Sequence, residues 1–310
     1  MQLQHISLLI KKEAKELGFI ECGITKAEYI NEEKEHLLLW LKNKYYAGLT
    51  YMNNNIEKRL NPALLTENAK SVIVVLLNYY PEEIQSHNLP VISKYAYSKD
   101  YHLIIKNKLK QLLKIINEKV GKTKGRYYCD SAPLLEKTLA RKAGLGWIGK
   151  NSLLINKKYG SFNFIGELVI DRELYYDEPF KEDLCGSCNK CIESCPTEAI
   201  IKPKIIDAGK CISYITKENK DIIPENLAKK LNNRLFGCDI CQDVCPWNKN
   251  PIKAKNKDFP VIKEILKMNY SDWENIDEET FNKIFSHTPI KWAGIEKIKA
   301  NLQYLKRTKN

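Results

Sequence analysis

Residues 184–200 read LCGSCNKCIESCPTEAI and place Cys185, Cys188, Cys191 and Cys195 at the spacing C-x2-C-x2-C-x3-C-P. Such gaps let a short loop wrap a [4Fe–4S] cube, three thiolates gripping one cluster while the fourth cysteine reaches to a second. Pro196 removes a donor and fixes φ, which turns the chain away after the last ligand. A second run, GCDICQDVCP at 237–246, supplies Cys238, Cys241 and Cys245, and Cys211 lies upstream in GKCISYI. The ferredoxin crossover then assigns Cys185, Cys188, Cys191 and Cys245 to one cluster, and Cys195, Cys211, Cys238 and Cys241 to the other. A pair of four-cysteine zinc sites is the alternative, although a zinc ribbon offers two C-x2-C knuckles rather than three cysteines at successive two-residue gaps. Cys22 and Cys129 remain, each expected as a small buried hydrophobe.

Around this module the composition is that of a folded protein. The chain has 310 residues, 44% of them hydrophobic, with only 14 Gly and 12 Pro, enough for two domains or one domain with a cofactor module and a tail. The amino terminus, MQLQHISLLIKKEAKELGF, carries charges throughout its apolar pattern, so it reads as an amphipathic helix and not as a signal peptide. The strongest apolar run, 72–77, is far shorter than a membrane span. A cytoplasmic monomer with no membrane contact is the expectation, and in that compartment clustered cysteines ligate metal sooner than they form disulfides. The net charge of +12 and pI near 9.0 favour a polyanionic partner through counterion release, although a lysine-rich proteome gives the same balance.

Apolar periodicity predicts helices over 3–17, 33–42 and 101–120, and strands over 19–25, 71–79 and 126–130. A helix over 133–143 follows, with proline in its first turn, and then a hairpin of 152–156 with 162–170. The expectation is an α+β domain over 1–175, a cofactor-held module over 176–250, and a short helical tail over 251–310 whose last helix covers 295–305.

No G-x-G-x-x-G after a strand and no Walker loop is present, so generic motifs leave the redox partner of the clusters unnamed. A stand-alone ferredoxin needs no preceding domain of this size. The informative stretch is CDSAPLLEKTLARKAGLGWIGKNSLLI at 129–155. Asp130 ends a predicted strand just before a helix. It is either a general acid, which requires a pKa raised by burial beside an apolar cofactor, or with Ser131 the cap of that helix. Glycines 144, 146 and 149 either admit a large ligand to the backbone or shape turns.

DSAPLLEKTLARKAGLGWIGKN, followed by CGSCNKCIESCP and GCDICQDVCPWN, resembles the epoxyqueuosine reductase family, and YMNNNIEKRLNP and SKYAYSKDYH extend the likeness over most of residues 1–290. The resemblance implies a cobalamin-binding α/β domain, similar to nitroreductase-like and reductive-dehalogenase proteins, joined to a ferredoxin-like module with two [4Fe–4S] clusters. It further implies base-off cobalamin, reduced by the nearer cluster, that helps deoxygenate the epoxide of epoxyqueuosine at the tRNA wobble position, the last step of queuosine biosynthesis. Electrons come from an external donor. Asp130 matches the family's proton donor, and Arg59, Tyr101, Asn151 and Ser213 fall in segments that meet the corrin. For tRNA, Lys229, Lys230 and Arg234 on a helical run before Cys238, with Lys249 beyond, are candidates for phosphate contact, or else a solvated face. Trp247 is the candidate for stacking on a splayed base, with core packing as its alternative. Longer relatives continue into a helical-repeat domain, and Lys297, Lys299, Lys306, Arg307 and Lys309 are the charges that would compensate for it here. The rival readings are a non-enzymatic electron-transfer protein without cobalamin, and a corrinoid reductive dehalogenase.

Overall fold

The protein is seen here as a computed structural model that describes residues 2–255 and 259–307. Its first half is organised by α1 (Leu3–Glu16), β1 (Glu21–Lys26), α2 (Asn31–Lys42), α3 (Ile56–Leu60), β2 (Ser71–Asn78), β3 (Val91–Ile92), α4 (Tyr101–Lys119), β4 (Gly125–Tyr128), α5 (Glu136–Lys142), β5 (Trp147–Ile148), β6 (Leu154–Ile155) and β7 (Asn163–Ile170). An antiparallel sheet runs in the order β1-β2-β7-β4. Helices cover both faces. Ile6, Ile10 and Ala14 of α1 and Ile105, Leu109, Leu112 and Ile116 of α4 meet Ile73, Val75 and Leu77 on one side. Leu139 and Ala140 of α5, with Ala143 just after it, meet Val72, Val74 and Leu76 on the other. That double covering is why SVIVVLLN is apolar without alternation: every residue of β2 is buried.

Two expectations about this half change. β4 stops at Tyr128 and α5 starts only at Glu136, capped by Leu135 with no side-chain bond. Pro133 therefore lies in a loop, and neither Asp130 nor Ser131 caps a helix. The segment 152–156 does not pair with 162–170. Leu154–Ile155 returns on Trp147–Ile148, while Asn156 bridges to Gly160 and β7 joins the main sheet. The glycines between serve that internal packing and not a ligand: a Cβ at Gly146 would lie 2.1 Å from the Ile155 carbonyl oxygen, and one at Gly149 2.5 Å from Ile155 Cδ1.

The cysteine module contains α6 (Lys190–Glu193), β8 (Ile200–Lys202), β9 (Ile205–Ile206), α7 (Ile212–Lys217), α8 (Glu225–Ala228), β10 (Arg234–Phe236) and α9 (Ile240–Asp243). It is bolted to the first domain by polar contacts. Asp239 accepts the Lys94 amide at 2.8 Å and the Ser93 hydroxyl at 2.5 Å, and Lys94 Nζ reaches Asp243 at 2.6 Å. Asn248 accepts the Ser161 amide at 2.9 Å, at a spot where a Cβ on Gly160 (φ 63) would fall 2.0 Å from Asn248 Oδ1. β10 pairs parallel with β3.

The last segment holds α10 (Lys263–Lys267), α11 (Tyr270–Asn275), α12 (Glu278–Phe285) and α13 (Pro289–Arg307). It is no tail. Trp273, Phe281, Phe285, Ile290, Ile298, Leu302 and Leu305 share one core with Ile92, Tyr97, Ile212, Ile215, Leu235 and Phe236, so the expected boundary at 250 runs through a single hydrophobic cluster. Among the described residues no helix is long and apolar enough to cross a membrane.

Candidate active site

Asp130 sits in the loop after β4 with φ 59, in the left-handed region that Asp tolerates better than most residues. Its side chain is 61% exposed, but toward a cleft and not the outer surface. Asp130 Oδ2 accepts from the Tyr101 hydroxyl at 3.0 Å and lies 3.2 Å from His102 Nε2. The His102 hydrogen bond holds the Asp130 carboxyl below the usual range against its desolvation. This reverses the expectation of a raised pKa: at rest Asp130 is ionised, and the proton is held by His102. Burial opposes charge on that imidazole, but hydrogen bonds to Asp100 and Asp130 lift its pKa to about 9. Asp100 is further gripped by Trp292, whose Nε1 donates to Oδ2 at 3.3 Å. Tyr101 stacks on Phe164 at 4.0 Å, which fixes its ring.

Beneath the loop lie two carboxyl groups not singled out from the sequence. Glu136 Oε1 accepts the Asp130 amide at 2.5 Å, so it pins the strained residue. Burial first, and the Asp130 charge second, push Glu136 up to about 7. Glu167, opposite Tyr128 and Val74 at the centre of β7, is fully buried and has neither oxygen hydrogen-bonded. Burial and the neighbouring Glu136 and Asp130 charges drive its pKa well up. One signal was legible: a lone acid within the apolar strand NFIGELVI.

The cleft has a volume of about 1750 Å³ and is lined by, among others, Tyr51, Arg59, Tyr95, Tyr101, Lys217 and Trp292. Arg59 is buried and donates to the carbonyls of Tyr51 at 3.0 Å and Asn54 at 3.2 Å. Lys217, also missed in the sequence, extends from α7 with its ammonium 5.1 Å from the Tyr95 ring centre, and its charge acts on Asp130. It links the Cys211 segment to the acid.

The eight clustered sulfurs fall into two electrostatic neighbourhoods. Cys245 feels Cys185 and Cys188, and Cys191 feels Cys185 and Cys245. Cys211 feels Cys195, Cys238 feels Cys211, and Cys241 feels both Cys238 and Cys211. Cys241 also feels Cys191, so the two sets adjoin. Among the described residues no three His, Cys, Asp or Glu side chains close around a single-ion position. Polar hydrogens reach the sulfurs from outside: Trp147 Nε1 lies 3.5 Å from Cys185 Sγ and the Ala199 amide 3.3 Å from Cys195 Sγ. None of the ten cysteines is in a disulfide, and Cys22 and Cys129 are buried.

The remaining candidates are scattered. Asn151 and Ser213 do not line the cleft. Asn151 is buried with its amide 3.4 Å from the Cys241 carbonyl oxygen, and the Ser213 amide bonds the Cys211 sulfur. Lys229 pairs with Glu225 at 2.6 Å, Lys230 lies 4.0 Å from Glu198, and Lys249 is exposed. The helical run expected for the first two stops at Ala228, and Arg234 is buried on strand β10, which removes it from a phosphate-binding face. Trp247, 36% exposed, packs edge-on against Trp147 at 4.8 Å and donates to the Leu184 carbonyl at 3.3 Å. Lys306 pairs with Glu274 at 2.7 Å, Lys297 is half-buried, and Lys299 and Arg307 also lie on α13; Lys309 falls outside the described residues.

An α+β domain whose acid-bearing cleft adjoins two sets of four thiols defines an iron–sulfur oxidoreductase. Residues 184–248 match the family described as a 4Fe-4S double cluster binding domain, and residues 59–131 match "Epoxyqueuosine reductase QueG, DUF1730". Epoxyqueuosine reductase of Cellulophaga algicola is 48% identical over 96% of this chain and 97% of the relative; that of Escherichia coli K12 is 37% identical over 95% and 79%. A crystal structure of epoxyqueuosine reductase with an epoxyqueuosine-modified tRNA stem loop superposes with a TM-score of 0.91 at 29% identity, covering 98% of this chain and 81% of that one. Another, from Bacillus subtilis, with its aspartate-bearing catalytic loop swung out of the active site, gives 0.90. The chain belongs to the epoxyqueuosine reductase family.

Proposed function

We propose that this protein reduces epoxyqueuosine to queuosine at the wobble position of tRNA, with Asp130 delivering protons to the departing oxygen. Removal of an epoxide oxygen breaks two C–O bonds, forms one C=C bond, and consumes two electrons and two protons as water leaves. The thiol sets above would hold two adjacent clusters, which would supply the electrons one at a time from an external donor.

The cleft fits cobalamin. It exceeds the roughly 300–1,000 Å³ of a drug-sized site, and it combines apolar walls with the polar groups that a corrin rim of amides requires. Arg59, Tyr51, Asn54 and Lys217 would hold the rim, and Tyr101 would lie beside it. When bound, the cofactor supplies a strongly reducing, nucleophilic metal centre. The chain's own groups do the proton work. Asp130 takes a proton from His102 Nε2 and passes it to oxygen, and the imidazole, once reprotonated from solvent through the open cleft, recharges it for the second transfer. Glu136 keeps the loop aimed by holding the Asp130 amide. Lys106, which donates to Ser131 at 3.1 Å, and other cleft lysines would meet phosphates. A cytoplasmic monomer is the form we expect to act.

The observation that carries this reading is Asp130, hydrogen-bonded by Tyr101 and His102 at the wall of a cofactor-sized cleft. The test is anaerobic reconstitution with iron, sulfide and cobalamin, followed by reduction with tRNA bearing epoxyqueuosine and mass analysis of the nucleosides. Queuosine is the expected product. Iron loading without corrin uptake or turnover would instead support a simple electron-transfer protein.

A further inference from the structure

Trp292 is 82% exposed. A tryptophan ring gains from burying about 150–250 Å², so one left in water at a cleft mouth calls for a partner. The ring is held in place. Its Nε1 is bonded to Asp100, whose own amide donates to the His287 carbonyl at 2.7 Å. Two residues earlier Ile290 is fully buried, and two residues later Gly294 takes φ 78 and ψ 157, which interrupts α13. A Cβ at Gly294 would touch nothing within 4 Å, so the left-handed backbone, not crowding, is what calls for glycine there. The short turn 289–293 is thereby separated from the rest of the helix and presents Trp292 at the wall that also carries His102, Lys106 and Asp130.

We propose that Trp292 is a stacking platform for an unpaired base of the RNA substrate, adjacent to the nucleotide that enters the cleft. The inference rests on the tRNA reading above. Single-stranded bases are held by stacking on aromatic rings, a contact that tolerates any base because each has a π-face. Trp292 suits this because its only polar atom is already bonded, which leaves a flat apolar face. Lys99 and Lys291, both exposed, flank Asp100 and Trp292 in sequence and bring positive charge for phosphates. A protein partner would need a contiguous apolar patch, whereas among the described residues the exposed large apolar side chains that line the cleft are only Leu39, Tyr51, Leu103 and Trp292, spread over three α-helices and a short turn. The ligand it fits is flat and anionic.

The test uses reconstituted enzyme and tRNA bearing epoxyqueuosine, comparing wild type with W292A and W292F. Loss of one base–aromatic stack should raise KM about tenfold in W292A, with kcat falling by less, while W292F, which keeps a face but no N–H, stays within about threefold of wild type. Corrin uptake, followed by visible absorbance, should match wild type in both. Conversion by the wild type with unaltered KM in W292A overturns the platform. So does a lower kcat shared equally by W292A and W292F, which would reduce Trp292 to an anchor for Asp100, and so does impaired corrin uptake, which would assign the ring to the cofactor. No conversion by the wild type would sink the substrate reading itself.

Discussion

His102 bridges two carboxylates, with Nδ1 2.6 Å from Asp100 Oδ1 and Nε2 3.2 Å from Asp130 Oδ2. Both contacts are satisfied by donation only when the ring is protonated. Folding therefore raises its pKa from 6.5 to about 9. The stabilisation is complete below about 6.5 and is lost as pH rises through about 9, an effect on the order of 2 kcal/mol. Thermal melts from pH 6 to 10 should show this decline in wild type and not in His102→Asn. Turnover should fall on the same alkaline limb, and a variant that retains the limb would remove His102 from the proton path.

Replacing Asp130 by Ala or Asn should leave iron, sulfide and corrin content intact and lower kcat by about 10²–10⁴, the usual contribution of a positioned general acid. Asn keeps the hydrogen bonds and the left-handed backbone but carries no transferable proton. Single-turnover kinetics on loaded enzyme measures this directly, and wild-type rates in either variant would end the assignment.

The buried acids lose stability in the same direction as His102, but over a lower pH range. Glu136 and Glu167 have folded pKa values above the ordinary 4.5. Their contribution is present below about 4.5 and is lost as pH climbs through the raised values, about 7 for Glu136. Glu167→Gln removes one of these liabilities, so it should match wild type at pH 5 and exceed it in stability at pH 8. Calorimetry at the two pH values decides the matter; equal destabilisation at both would mean that Glu167 is bound by partners other than a proton.

Crossed ligation is tested at Cys245. It stands in the second motif, yet its sulfur neighbours are Cys185 and Cys188. Cys245→Ser should reduce iron from roughly eight to roughly four per chain or leave a three-iron signal, while the spectrum of the Cys195, Cys211, Cys238 and Cys241 set persists. Loss confined to that other set would invert the pairing.

Much of the scaffold was legible because local rules dominate there. The 3.6-residue period of α1 and α4 and the unbroken apolar run of β2 each reflect the surface that the element must bury. Errors came where a partner distant in sequence decides. Leu154–Ile155 pairs with Trp147–Ile148 because the tight Gly146 approach permits it, and Arg234 joins a strand because Val91–Ile92 offers an edge. In both cases the local pattern was consistent with another element.

Sequence by itself determined the cluster chemistry: C-x2-C-x2-C-x3-C-P brings four thiols around one loop, and that geometry is local. It also marked Asp130 as acid or cap. Only the tertiary structure excluded the cap, since the helix starts at Glu136, and only it showed the surroundings of the carboxylate, which come from α4, α5 and β7 at Tyr101, His102, Glu136 and Glu167. A pKa depends on what surrounds a group through space, and these neighbours lie 6 to 37 residues away along the chain. For the same reason the two tryptophans could not be told apart along the chain: Trp247 is 36% exposed and packs on Trp147, whereas Trp292 is 82% exposed and lines the cleft.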